Sequence, residues 1–133
     1  MDVFSTYCSA LKDESKGELP VIERYQSTRI DSIYAAALSA GVGFLILSGE
    51  YGLIKPCDPI PYYDHLLIAS EVPEHTRKVM GQLNALDIKK LVFFTKPITE
   101  DRNVKPYLDC IQFACQQAEV AFFLIELSLR VYD

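Results

Sequence analysis

Ser48, Glu50, Tyr51, Tyr62, Tyr63 and Asp64 fall within one stretch that begins as an apolar run at Leu45 and continues through Pro56, Pro59 and Pro61. Paired carboxylates in a shared cleft can split their pKa values, so Glu50 and Asp64 are candidates to divide acid and base roles. Asp64 can accept hydrogen bonds from a ribose or a base, or orient a water as general base for cleavage of an N-glycosidic bond. A helix cap or turn carboxylate fits Asp64 equally well. Glu50 also reads as a solvated loop residue. Gly49 and Gly52 let backbone turn tightly or approach a ligand, and Ser48 sits where the apolar run gives way to them. Tyr51, Tyr62 and Tyr63 offer faces for stacking on a base, Tyr63 above all. They also suit loop packing, with hydroxyls anchoring backbone.

A second set lies upstream. Cys8 and Ser9 follow the first apolar run, and Lys12 and Arg29 come after them. A cysteine near a helix N-terminus can be an activated thiolate. It would need a histidine partner, and only His65 and His75 are present. A small residue packed at a strand end is the other reading of Cys8. Lys12 supplies a point charge and Arg29 a fork for an anion, although exposed salt-bridging surface fits both. Cys57, Asp58, Asp64 and His65 follow no recognised ligand spacing, and Pro59 and Pro61 separate them, so neither a metal nor a cofactor is expected.

These residues must be held by regular elements. Asp2 to Tyr7 reads as a strand, and Gly43 to Leu47 as a strand covered on both faces. A helix follows the polar segment Cys8 to Pro20, with Ser27 as cap, Ile30, Ile33, Tyr34, Ala37 and Leu38 on its buried face, and Gly41 as its stop. A second helix has Pro73 early, Ser70 as a cap, and Val79, Met80, Leu83 and Leu86 as its stripe. Lys90 to Thr95 is a third strand, Val104 to Ala118 a third helix with Cys115 in its apolar stripe, and Ala121 to Ile125 a fourth strand. Strands alternating with helices predict one three-layer α/β domain over residues 1–133 with a parallel four-stranded sheet. The exits of all four strands then share one edge, where ligands of open α/β sheets bind, and the loops after the first and second strands are expected to form the site.

The totals narrow the function classes. Half of the 133 residues are hydrophobic, enough for a core. The net charge of −5 argues against indiscriminate nucleic-acid binding. No apolar run reaches the ~20 residues of a membrane span. The first residues show no secretory signal, so a cytoplasmic location with reduced cysteines is expected.

Leu47-Ser48-Gly49-Glu50-Tyr51-Gly52-Leu53, then Pro56 and Ile60 to Asp64, resembles the S-x-x-Y-G-[LV]-x-x-P…I-x-P-Y-D signature of the YaaA-like family. That family comprises peroxide-stress proteins and short bacterial and phage domains related to them. Cys8-Ser9 with Lys12 resembles its C-S-x-x-K loop, and Tyr25-Gln26-Ser27 with Tyr34-Ala35 its Y-x-S…Y-A segment. The resemblance spans roughly residues 3 to 127 of the short relatives. Two departures stand out: a tyrosine occupies the proline position before Tyr63-Asp64, and Glu50 stands where many short members are basic. A carboxylate there opposes phosphate binding.

The resemblance implies a fold similar to the uracil-DNA glycosylase type of α/β sandwich, with strand order 2-1-3-4. It also implies that Ser9, with its backbone N–H, helps hold a phosphate or carboxylate. The function expected is binding of a nucleobase, nucleoside or nucleotide, with N-glycosidic cleavage or base exchange as the reaction class. A non-enzymatic stress-response module acting on nucleic acid or a protein partner is the alternative. The fourth strand, as an exposed apolar edge, would favour a homodimer.

Overall fold

The computed structural model describes residues 1–127. In chain order the elements are β1 (Asp2–Tyr7), β2 (Leu19–Pro20), α1 (Val21–Arg24), α2 (Thr28–Ala40), β3 (Gly43–Ser48), β4 (Gly52–Ile54), β5 (Pro59–Ile60), α3 (Val72–Ala85), β6 (Lys90–Thr95), α4 (Lys105–Gln117) and β7 (Ala121–Glu126). The central sheet has the order β4-β3-β1-β6-β7, with β1, β3, β6 and β7 mutually parallel where they pair. These four long strands therefore follow the expected order 2-1-3-4.

The sheet is not a purely parallel four-stranded one. β4 adds a fifth, antiparallel strand against β3, pairing Ile46 with Ile54 and Ser48 with Gly52. Gly52 turns the chain at φ +74° and Gln82 crowds the space a Cβ would take, so this hairpin turn requires glycine. β2 and β5 form a separate two-residue ladder.

Right-handed crossovers place α2 on one face of the sheet, against β1 and β3, and α3 and α4 together on the other. Ser27 caps α2 by accepting from the Ile30 N–H at 3.1 Å, and Gly41 closes the helix in the left-handed region. α2 starts at Thr28; α1 is a separate turn just upstream. Ile30, Ile33 and Ala37 are buried, whereas Leu38 is exposed and lies off the packed stripe. Ser70 does not cap α3: it lies inside a 3-10 turn, Ala69–Glu71, that leads into the helix. On the opposite face Val79, Leu83, Ile111, Ala114, Leu91 and Phe93 are buried. Cys110 and Cys115 are both buried there, and burial pushes their thiols up to about 11 and about 12, which leaves them unreactive.

Candidate functional site

The exits of β1 and β6 open into a cavity of about 310 Å³. Its wall is Tyr7 to Lys12 from the loop after β1, Arg29 from α2, Asp64 to Leu66 from the segment before α3, and Lys96, Asp101, Asn103, Val104 and Tyr107 from beyond β6. Cys8, Ser9, Lys12, Arg29 and Asp64 thus meet around one space. Ser48, Gly49, Glu50, Tyr51, Gly52 and Tyr63 lie outside that lining.

The loop after β1 is shaped by a residue the sequence reading missed. Arg24 is fully buried, and its guanidinium donates to the carbonyls of Asp13 (2.7 Å), Ser15 (3.0 Å), Gly17 (2.8 Å) and Ile60 (3.1 Å). One fork thereby gathers the polar segment and ties it to β5. The available signal was an arginine set among Val21, Ile22 and Tyr25, where an apolar residue belongs.

Arg29 is also a framework residue. It is buried, donates to Thr6 Oγ1 (2.5 Å) and to the Tyr7 and Cys8 carbonyls (2.8 and 3.2 Å), and lies 3.7 Å over the Tyr7 ring. Its donors serve the end of β1. Ser9 Oγ likewise donates to the Leu11 carbonyl at 2.5 Å.

Lys12 is fixed rather than loose. It bridges to Tyr25, and its Nζ stands 4.9 Å from the Tyr63 ring centre and 5.8 Å from that of Tyr25. Tyr63 is therefore spent beneath the lysine and does not offer its face to the cavity. Its hydroxyl contacts those of Ser48, at 2.8 Å, and Tyr25. Ser48 Oγ already accepts the Glu50 and Tyr51 N–H groups at 3.0 and 3.1 Å, so its proton goes to Tyr63, and the Tyr63 proton to Tyr25. Burial, and then the neighbouring Cys8, hold the Tyr63 hydroxyl far above its ordinary pKa, so the relay stays protonated. Ser48 and Tyr51 thus shape the turn.

Gly49 permits a close crossing. A Cβ there would meet the His65 carbonyl and the Tyr107 hydroxyl, each at 2.8 Å, and the Leu67 nitrogen at 3.0 Å. The segment carrying Asp64 therefore packs directly on the turn after β3, which is what brings it to the cavity.

Glu50 faces a second cavity of about 220 Å³, lined also by His65, Glu71, Glu74, His75 and Lys78. It pairs with His65 rather than with Asp64. His65 Nδ1 is 2.5 Å from Glu50 Oε2, and Nε2 is 2.9 Å from Glu71 Oε1. A ring that donates from both nitrogens must be the imidazolium, and the Glu50 and Glu71 hydrogen bonds raise its pKa. His65 lines both cavities and anchors Asp64 through the adjoining backbone. With both nitrogens facing carboxylates, it is not a base for Cys8. The Cys8 thiol instead lies 3.6 Å from the Tyr107 hydroxyl, which accepts the Leu67 N–H at 3.1 Å. His75 donates Nε2–H to the Ser48 carbonyl at 2.8 Å, and burial lowers its pKa, so it stays neutral.

Lys12, Lys96, Asp64 and Asp101 are the charges of the first cavity's lining that no ion pair engages: among the described residues none of the four takes part in a salt bridge. Asp101 also accepts the Asn103 N–H at 3.0 Å. Among the described residues no group of His, Cys, Asp and Glu is gathered to hold a metal, the Cys57, Asp58, Asp64 and His65 set included. No helix there is long and apolar enough to cross a membrane.

Comparison with protein-family models, with curated proteins and with solved structures returned no match.

Proposed function

We propose that the cavity at the β1 and β6 exits binds a nucleotide and that Asp64 acts on its N-glycosidic bond. One observation carries the reading: two lysines, Lys12 and Lys96, and two carboxylates, Asp64 and Asp101, all without ion-pair partners among the described residues, line a single cavity. A nucleotide matches that pattern. Its phosphate suits Lys12 and Lys96 as point charges. Its ribose hydroxyls donate to the Asp64 carboxylate, and its base packs against Leu11, Leu66 and Tyr107. A space of about 310 Å³ is at the small end for such ligands.

In the reaction, Asp64 takes a proton from a water whose oxygen bonds to C1′ of the sugar. The C1′–N bond breaks, its electron pair stays on the base nitrogen, and the released base picks up a proton from solvent. Lys12 and Lys96 hold the substrate in register. His65, Glu50 and Glu71 act through position, by fixing the backbone beside Asp64. The net charge of −5 favours a single nucleotide over a long nucleic acid. The resemblance to the YaaA-like signature, and the glycosylase-type fold which that resemblance implies, support this reading.

The test is a panel of nucleosides and nucleoside 5′-monophosphates, with released base measured by chromatography. Base release by the wild type, lost at least ~100-fold in Asp64→Asn at saturating substrate, is the expected result. Release that survives in Asp64→Asn, or no release from any member, overturns the catalytic part.

A further inference from the structure

We propose that His65 gates the nucleotide cavity by its proton. As the imidazolium it fixes Asp64 and Leu66 in the wall, and as the neutral ring it lets them go, so nucleotide affinity falls as pH rises. The cavity and its ligand are those of the nucleotide reading, on which this inference rests. The ground for it is how little else holds this stretch. Asp64, His65 and Leu66 lie outside every helix and strand, and among the described residues they make no backbone–backbone hydrogen bond. The nearest ties are the Tyr63 hydroxyl on Ser48 and the Leu67 N–H on the Tyr107 hydroxyl. Between those two anchors the side-chain hydrogen bonds are those of the His65 ring. The Gly49 crossing bounds the backbone on one side, so release loosens the stretch without unfolding it.

The two carboxylates on that ring come from different places. Glu50 belongs to the turn after β3, and Glu71 to the 3-10 turn that opens α3. Only a ring with two N–H groups holds both. A neutral ring keeps one and turns a lone pair toward the other carboxylate, so one arm opens. The carboxylates themselves are held independently. Glu71 Oε1 also accepts the Ile68 N–H at 3.2 Å, and Lys78 donates to the Glu50 carbonyl at 3.1 Å. The ring is therefore the part that moves.

Facing His65 are Glu50, Glu71, Glu74 and Lys78 around the second cavity, Asp64 beside it, and Cys8, Lys12, Arg29, Lys96 and Asp101 around the first. His75 of α3 stays neutral, and from α4 the Tyr107 hydroxyl reaches Leu67 and is kept protonated by burial. The Glu50 and Glu71 hydrogen bonds raise the His65 pKa, which puts the switch above about 6.5. Below it the clamp is closed, and as pH rises through it the clamp opens. By reciprocity, a ligand that needs the fixed wall binds the protonated form more tightly and raises the His65 pKa further.

Two measurements on the full chain test this. In the ligand-free protein the amide order parameters of Asp64, His65 and Leu66 are expected to fall as the His65 ring, followed by NMR, loses its proton, while those of Tyr63 and Leu67 hold steady. Order parameters that ignore the His65 titration overturn the proposal. Affinities are then measured from about pH 6 to 8.5 for adenosine and cytidine and for their 5′-monophosphate methyl esters, whose charges are constant in that range. All are expected to weaken at least ~5-fold in the wild type and to stay level in His65→Gln, while Glu50→Gln moves the change to lower pH. Comparison with His65→Gln removes titrations that do not pass through this ring, that of the Cys8 thiol included. Equal pH dependence in wild type and His65→Gln overturns the proposal. So does weakening of the phosphate esters alone, which marks plain charge attraction. If none of the four binds at any pH, the nucleotide reading fails; in that case, or if His65→Gln does not fold, the order parameters decide whether the His65 proton holds the wall.

Discussion

Ser48 Oγ and the Tyr63 hydroxyl lie 2.8 Å apart, fifteen positions distant in the chain, and join the end of β3 to the segment that delivers Asp64. The bond lies outside the cavity yet holds one of its walls. Ser48→Ala and Tyr63→Phe are each expected to cost about 1–2 kcal/mol, since each leaves buried partners unsatisfied. The double variant is expected to cost less than the sum, by at least ~0.5 kcal/mol. Urea unfolding of the four proteins measures this. Strict additivity would show that the two hydroxyls are not coupled.

A methyl group at Gly49 tests the close crossing. Gly49→Ala drives a Cβ into the His65 and Leu67 backbone and the Tyr107 hydroxyl. Because backbone cannot rotate aside, about 1–3 kcal/mol of stability should be lost, and ligand affinity with it as Asp64 is displaced. Thermal melting and a binding titration of the same sample read both. An unchanged melting temperature contradicts the packing described.

The Glu50–His65–Glu71 clamp gives stability a pH dependence with a definite sign. His65 has its folded pKa raised, so its contribution is complete below its unfolded value, about 6.5, and disappears as pH rises through the folded one. Glu71 is lowered, first by its bond to His65, so its share is present above about 4.5 and disappears as pH falls through its folded value. Buried His75 works the other way, since its unfolded form gains a proton first on acidification. The stability difference between wild type and His65→Gln removes that background. It is expected to be largest between about pH 4.5 and 6.5 and to shrink at higher pH. The clamp side chains are 34% (His65), 41% (Glu50) and 39% (Glu71) exposed, so salt should reduce the effect. A difference that grows above pH 7 contradicts the clamp.

Much of the frame was legible because its signals are local. The parallel strands announced themselves as apolar runs such as Lys90 to Thr95, and Ser27 and Gly41 bracket α2 through chemistry confined to a few residues. β4 was not legible: Gly52–Ile54 is three residues long, and its pairing depends on a turn and on Gln82, far along the chain. The site was legible by residue type but not by partner. Cys8, Lys12 and Asp64 reach one cavity, while Tyr63 is turned under Lys12 and Glu50 toward His65. Such choices are made among side chains distant in sequence, with several hydrogen-bond partners available to each. Arg24 shows the same limit, since its four carbonyl acceptors carry no sequence signature.

The most direct measurement is an amide chemical-shift map of the labelled protein titrated with a nucleoside 5′-monophosphate and with the matching nucleoside. The nucleotide is expected to shift Cys8 to Lys12, Asp64 to Leu66 and Lys96 together, with the nucleoside binding at least ~10-fold more weakly for want of the phosphate. Shifts confined to one of those segments, shifts elsewhere on the surface, or none at millimolar ligand would contradict the cavity as a nucleotide site.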